Sequence, residues 1–117
     1  MSINPVRISI HPSQFWECKR RLLDFSQMEV QTFQFASGVS ALQISNARGF
    51  IIVLPFQGQQ VWDAVFDGRR LSMQTPVKEP KKTQDFLSNV GAFFFHCGMS
   101  AMGSPGPEDQ HPIHGEI

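Results

Sequence analysis

Short apolar or alternating runs, each closed by turn residues, recur along this chain at a spacing of roughly ten residues. This pattern is typical of an all-β domain, because helices of similar length would show a period of 3.6 residues instead. The predicted strands cover residues 6–10, 28–35, 41–45, 50–54, 61–66, 69–73 and 92–96. Residues 50–54 are apolar without interruption, which predicts burial on both faces of a sheet.

The pair Asp67-Gly68 predicts a tight β-hairpin between residues 61–66 and 69–73, because both residue types accept the positive φ angles of such a turn. We expect this hairpin at the centre of the fold. Simple alternation divides its first strand into two faces, with Trp62, Ala64 and Phe66 on one side and Val61, Asp63 and Val65 on the other.

Two segments carry helical signals instead. Residues 15–25 place Phe15, Cys18, Leu22 and Phe25 at roughly helical spacing after Ser13, which predicts a short capped helix. Residues 84–90 predict one or two helical turns, which Gly91 would end.

The composition restricts the classes of partner and environment. With 117 residues and 41% hydrophobic side chains, the chain is expected to form a single domain over residues 1–117. Ten Lys and Arg balance ten Asp and Glu, so the basic excess expected of proteins that bind nucleic acid or anionic membranes is missing. No apolar run approaches the length of a membrane span, and residues 1–10 resemble no secretory signal. A cytoplasmic protein with Cys18 and Cys97 as free thiols is therefore predicted.

Residues 98–117 differ from the rest, with four glycines, three prolines, two histidines and no apolar periodicity. They predict a loop of the kind that often forms a binding site. The polar groups in and just before this loop are His96, Cys97, Glu108, Asp109, His111, His114 and Glu116. Five of them are the candidate binding residues: His96, Asp109, His111, His114 and Glu116.

Three interpretations of these residues remain open on the sequence pattern. His111, His114 and Glu116, with His96, could hold a metal ion in the manner of a cupin. The same groups could bond sugar hydroxyls while Trp62 covers an apolar sugar face. They could also be solvated loop residues, with His96 a core histidine and Cys97 a small buried hydrophobe.

The tail also carries a resemblance. Phe-His-Cys-Gly at 95–98, Ala-Met-Gly-Ser-Pro-Gly-Pro-Glu-Asp at 101–109 and His-Pro-Ile-His-Gly-Glu at 111–116 resemble a stretch of the aldose 1-epimerase family, in an epimerase-like subgroup. Residues 53–64, 66–69 and 71–73 resemble the same subgroup, so that the similarity extends over residues 39–117.

The resemblance implies a galactose-mutarotase-like fold, a large antiparallel β-sandwich that holds an aldose, of which this chain would be an incomplete N-terminal portion. It implies that His114, followed by Gly115, contributes an imidazole to the sugar site. The family's general acid and base lie downstream of this His-Gly pair, and its upstream Asn-Arg pair is not visible in this sequence.

We therefore expect an aldose or a sugar derivative as the ligand, no cofactor, no metal and no mutarotase turnover by the chain alone. Self-association, or pairing with a missing C-terminal half, is expected at an open sheet edge. The alternatives are a cupin-like metal-binding domain and a module that interacts by strand pairing.

Overall fold

The computed structural model describes residues 4–95, 97–98 and 101–115. In this part of the chain, six strands form one antiparallel sheet in which neighbours in sequence are neighbours in space. The strands are β1 Arg20–Phe25, β2 Met28–Gln34, β3 Ser40–Asn46, β4 Gly49–Leu54, β5 Gln60–Phe66 and β6 Arg69–Arg70. Two short 3₁₀ helices, Pro12–Gln14 and Phe86–Asn89, complete the regular structure. The all-β prediction is confirmed.

Tight turns connect strands of this meander, the sheet order in which each strand lies beside its neighbour in sequence. Ser26 and Gln27 between β1 and β2, and Asp67 and Gly68 between β5 and β6, all have φ between 51° and 74°. Two successive positive φ angles match the right-handed twist of the flanking strands, so consecutive strands fold directly back on each other.

The strands predicted at 28–35, 41–45, 50–54 and 61–66 and the helical turn within 84–90 are confirmed. The strand predicted at 6–10 was wrong, and those at 69–73 and 92–96 were too long. Residues 6–10 are mostly exposed and form no strand, and residues 69–73 contribute only Arg69–Arg70 to β6. Within the segment predicted at 92–96, the described residues 92–95 contribute only a bridge between Phe94 and Val61. Of residues 50–54, only Leu54 is buried, so the prediction of burial on both faces was wrong.

The helix predicted over residues 15–25 was also wrong, because residues 20–25 pair with β2 as β1. Its four apolar positions do not share a buried face, since Phe15 is buried whereas Cys18 and Phe25 are exposed. His11, rather than Ser13, caps the 3₁₀ helix by accepting a hydrogen bond from the Ser13 amide at 3.2 Å.

The hairpin of β5 and β6 has its predicted turn, but it lies at one edge of the sheet rather than at the centre. In addition, β5 contains a bulge. Val61 pairs with Val53 and Asp63 pairs with Ile52, so Trp62 is an extra residue in the ladder. Strict alternation is therefore lost at Trp62, and the predicted division of this strand into two faces was wrong.

The bulge determines which side chains meet. Cross-strand partners lie on the same face of a sheet, so Asp63 shares the face of Ile52. Trp62 and Ile52 both pack in the main hydrophobic cluster, so the indole and the Asp63 carboxylate occupy the same side. Ala64, opposite Ile51, lies on the other side.

The core covers one side of the sheet near the ends of β2, β4 and β5. Its buried members are Phe33, Val39, Ala41, Leu54, Trp62 and Ala92. Residues 77–92 pack over this core. Two hydrogen bonds hold this segment in place: Ser37 Oγ donates to the Pro80 carbonyl at 2.6 Å, and Gln57 Nε2 donates to the Thr83 carbonyl at 2.5 Å.

The opposite face of the sheet is apolar but only partly covered. Its central members are all half-buried: Val30, Leu42, Ile44, Ile51 and Val53. The described residues contain no second sheet to pack against this face, and the predicted sandwich is not confirmed. No helix within the described ranges is long and apolar enough to cross a membrane.

Candidate functional site

Two groups of polar side chains merit description as sites, one in the C-terminal tail and one beside the β5–β6 hairpin. In the tail, residues 101–115 form the predicted loop without helix or strand. The candidate residues His96 and Glu116 lie outside the described residues. His114, His111 and Asp109 lie within them.

His114 is held by aromatic contacts and by backbone hydrogen bonds. Its ring centroid lies 4.7 Å from that of Phe86 and 5.6 Å from that of Phe95, and Nδ1 lies 3.3 Å from Cys97 Sγ. The Gly98 amide donates to the His114 carbonyl at 2.7 Å, and the His114 amide donates to the Gly103 carbonyl at 2.8 Å. The imidazole is therefore half-buried in a fixed orientation.

The His-Gly pair has a local structural reason. His114 has a φ of 66° and Gly115 a φ of 75°, a left-handed conformation that few residues other than glycine adopt at low cost. Gly115 is buried, and a Cβ atom there would lie 2.5 Å from the carbonyl oxygen of Ala101. Glycine at 115 thus allows the chain to turn tightly behind the imidazole.

Asp109 and His111 serve local turns. Asp109 Oδ2 accepts a hydrogen bond from the Gly106 amide at 2.8 Å and lies 4.0 Å from His111 Nε2. His111 Nδ1 lies 2.7 Å from the Pro112 carbonyl oxygen, to which it donates. None of these contacts brings either side chain to the His114 ring, so the described tail residues do not converge on one ligand position.

The described residues also contain no group of three His, Cys, Asp or Glu side chains able to hold a metal ion. Two of the four ligands in the metal interpretation, His96 and Glu116, lie outside those residues.

The second group of polar residues surrounds a cleft of about 390 Å³ beside the hairpin. Its lining residues are Trp62, Asp63, Arg70, Ser72, Met73, Gln74, Thr75, Val77, Lys78 and Gly91. The volume falls within the range of small-molecule sites.

Asp63 is the most constrained polar residue of this cleft. Its Oδ1 accepts hydrogen bonds from the Ser72 hydroxyl and, at 2.9 Å, from the Ala64 amide, while Oδ2 lies 3.3 Å from an Arg70 guanidinium nitrogen. Its side chain is 15% exposed, so the carboxylate is held in one orientation with limited access to water. A preorganised carboxylate of this kind can accept hydrogen bonds from a hydroxylated ligand, with Lys78 and Gln74 as nearby donors.

This site was not predicted from the sequence, because simple alternation places Asp63 on the face opposite Trp62. One signal was available, since Asp63 is the single charged residue in the otherwise apolar run 61–66. A charge in such a strand requires partners, and these are provided by Arg70 and Ser72 across the hairpin.

No family model matches the chain, and neither the curated proteins nor the solved structures include a match. The resemblance to aldose 1-epimerases therefore rests on the sequence motifs alone.

Proposed function

We propose that this chain is the N-terminal part of an aldose 1-epimerase-like β-sandwich, and that it binds an aldose or a sugar derivative without turning it over by itself. The motifs over residues 39–117 support the family, and an antiparallel meander with one apolar face left half-covered suits part of a two-layer fold.

One observation favours carbohydrate as the ligand: the fixed Asp63 carboxylate faces a cleft ringed by amide, hydroxyl and cationic groups. Sugars present many hydroxyls, each of which donates one hydrogen bond and accepts others. Asp63 accepts, Arg70 and Lys78 donate, and the Gln74 amide does both. Because Ser72 and Arg70 already orient Asp63, little side-chain entropy remains to be lost when a ligand binds.

His114 is a second proposed contact, implied by the family resemblance. Its ring is fixed by Phe86 and Phe95, and the described residues provide no hydrogen-bond partner for its Nε2 atom. This nitrogen is therefore suited to bond a sugar hydroxyl.

The groups in the described residues support the proposal of binding without turnover. Mutarotation requires one group to protonate the ring oxygen and another to take the anomeric proton. The Asp63 carboxylate is paired with the Arg70 guanidinium, and the His114 imidazole contacts the Cys97 thiol. Neither arrangement presents an acid and a base to the same sugar.

The test is a titration of the purified chain with galactose and with glucose, in which ¹H–¹⁵N NMR spectra report binding. Asp63→Asn keeps the shape of the side chain but removes its charge, and should weaken binding at least about tenfold. Asp24→Asn is the matched control, because Asp24 is an exposed strand carboxylate that also faces an arginine, Arg21, at 3.8 Å.

A parallel titration of His114→Asn separates the two proposed contacts. Loss of binding in Asp63→Asn alone places the sugar in the cleft, and loss in His114→Asn alone places it at the tail. A wild-type chain that binds neither sugar at millimolar concentration would refute the proposal.

Strand pairing remains the alternative that a separate observation favours. β1 is an edge of the sheet, and the exposed apolar side chains of Phe25 and Met28 lie where β1 turns into β2. The solution mass by light scattering tests this alternative, which predicts a dimer or larger assembly at micromolar concentration.

A further inference from the structure

Cys97 and His114 form a thiol–imidazole pair that the proposed sugar site does not require. Seventeen positions apart in sequence, they are brought to an Sγ to Nδ1 distance of 3.3 Å. Both residues are half-buried, and the aromatic rings of Phe86 and Phe95 fix the imidazole. A base at hydrogen-bond distance from a thiol is the arrangement that activates sulfur nucleophiles.

We propose that Cys97 is a site of reversible thiol modification by low-molecular-weight disulfides, with His114 as the base that promotes it. The Cys97 thiol proton passes to Nδ1 of His114 while Sγ attacks one sulfur of the disulfide. The disulfide's own S–S bond breaks, a mixed disulfide forms at Cys97, and the departing thiolate takes up the proton from the imidazole. A second thiol restores Cys97 by the reverse exchange.

Disulfide exchange suits this pair better than acyl transfer. Acyl transfer by a Cys–His pair needs N–H groups aimed at a developing oxyanion. The amides of Gly98, His114 and Gly115 are all occupied, since they donate to the carbonyls of His114, Gly103 and Pro112 respectively. Disulfide exchange develops negative charge on sulfur and requires no such donors.

Cys18 offers an internal comparison. It is exposed, and among the described residues it has no hydrogen-bond partner, whereas Cys97 is half-buried beside an imidazole. Accessibility alone would therefore make Cys18 the faster thiol. Activation by His114 would make Cys97 the faster one.

The experiment follows mixed-disulfide formation with glutathione disulfide by intact mass. The Cys18→Ser chain reports on Cys97, and the Cys97→Ser chain reports on Cys18. We expect native Cys97 to react at least about tenfold faster than native Cys18, and this advantage should disappear in guanidinium chloride. Equal rates, or a faster Cys18, in the native chain would overturn the proposal.

Histidine variants identify the base. His114→Asn suits the left-handed φ of this position and keeps a polar atom near Cys97, but it cannot accept the proton, so the Cys97 rate should fall at least about tenfold. His111→Asn is the control in the same loop and should leave the rate unchanged. A similar effect of the two variants would remove His114 from the mechanism. If His114→Asn fails to fold, the rate of mixed-disulfide formation at Cys97 can still be compared between the native and the denatured chain with His114 in place. This comparison decides whether folding accelerates the reaction of Cys97.

Discussion

Arg48 and Asp67 join two turns at one end of the sheet. Arg48 donates from Nε to Oδ1 of Asp67 at 3.2 Å and from a terminal nitrogen to Oδ2 at 2.6 Å, and the Asp67 amide donates to the Arg48 carbonyl at 2.8 Å. Asp67 thus has two roles, because it also supplies the first positive φ of the β5–β6 turn. The hairpin that borders the cleft is thereby anchored to the β3–β4 turn.

This pair predicts a pH dependence. The hydrogen bonds from Arg48 hold the pKa of Asp67 below its ordinary value of 3.8. A carboxyl whose pKa is lowered by folding stabilises the folded state fully above its unfolded pKa, and this contribution is lost as the pH falls through the folded value. Both side chains are largely exposed, so the contribution to stability is small and weakens with salt.

The measurement is a titration of the Asp67 side-chain carboxyl carbon by NMR. The Asp67 pKa should rise toward its ordinary value in Arg48→Ala and stay low in Arg69→Ala, which removes a neighbouring exposed arginine of the same hairpin. An unchanged pKa in Arg48→Ala would show that the ion pair does not form in solution.

Two glycines at the ends of strands should respond differently to substitution. Gly68 has a φ of 74° and open space around it, so Gly68→Ala should cost about 1 to 2 kcal/mol from backbone strain alone, and Gly68→Asn much less. At Gly49, a Cβ atom would overlap the Val65 carbonyl oxygen, so Gly49→Ala should cost about 3 kcal/mol or more by forcing β4 away from β5.

Urea unfolding followed by tryptophan fluorescence measures both glycine effects, with Gly103→Ala as a left-handed loop control. If Gly49→Ala and Gly68→Ala lower the free energy of unfolding equally, β4 and β5 do not approach each other closely at Gly49.

Turn chemistry made one hairpin of the meander predictable from sequence. Asp67-Gly68 identifies a two-residue hairpin because the backbone angles it favours are those that the turn requires. Residues 6–10 show the limit of this approach, since alternation of apolar side chains predicts a strand only where a neighbouring strand accepts its hydrogen bonds. The bulge at Trp62 is similarly invisible, because an extra residue becomes evident only from the register of the partner strand.

The candidate sites were predictable to different degrees. The His114-Gly115 pair was singled out through the family resemblance, and the structure adds a local reason for glycine at 115, where a Cβ atom would approach the Ala101 carbonyl. Two sets of contacts depend on tertiary structure: the contact of Cys97 with His114, and the contacts of Ser72 and Arg70 with the Asp63 carboxylate. Sequence spacing carries no information on either contact.

Metal content provides the next prediction. We predict that protein purified without chelators contains no stoichiometric zinc, iron or manganese, as expected for the proposed sugar-binding function rather than for the cupin-like alternative. Elemental analysis by mass spectrometry measures this directly. Retention of one metal ion per chain, lost in His114→Ala, would instead establish the cupin-like alternative.

The last prediction concerns turnover: the isolated chain should not accelerate anomer exchange of galactose or glucose. Loss of a positioned acid or base costs about two to four orders of magnitude each, and His114 supplies at most one of the two roles. Exchange followed by polarimetry or NMR should therefore match a buffer blank, even at sugar concentrations that saturate the binding measured by titration. Exchange faster than the blank and abolished in His114→Asn would mean that the chain assembles a complete site. Because Asp63 is the least exposed of the acids that form ion pairs in the described structure, Asp63→Asn would then test it as the second proton-transfer group. Asp24→Asn serves as the control, since its loss should leave any such activity unchanged.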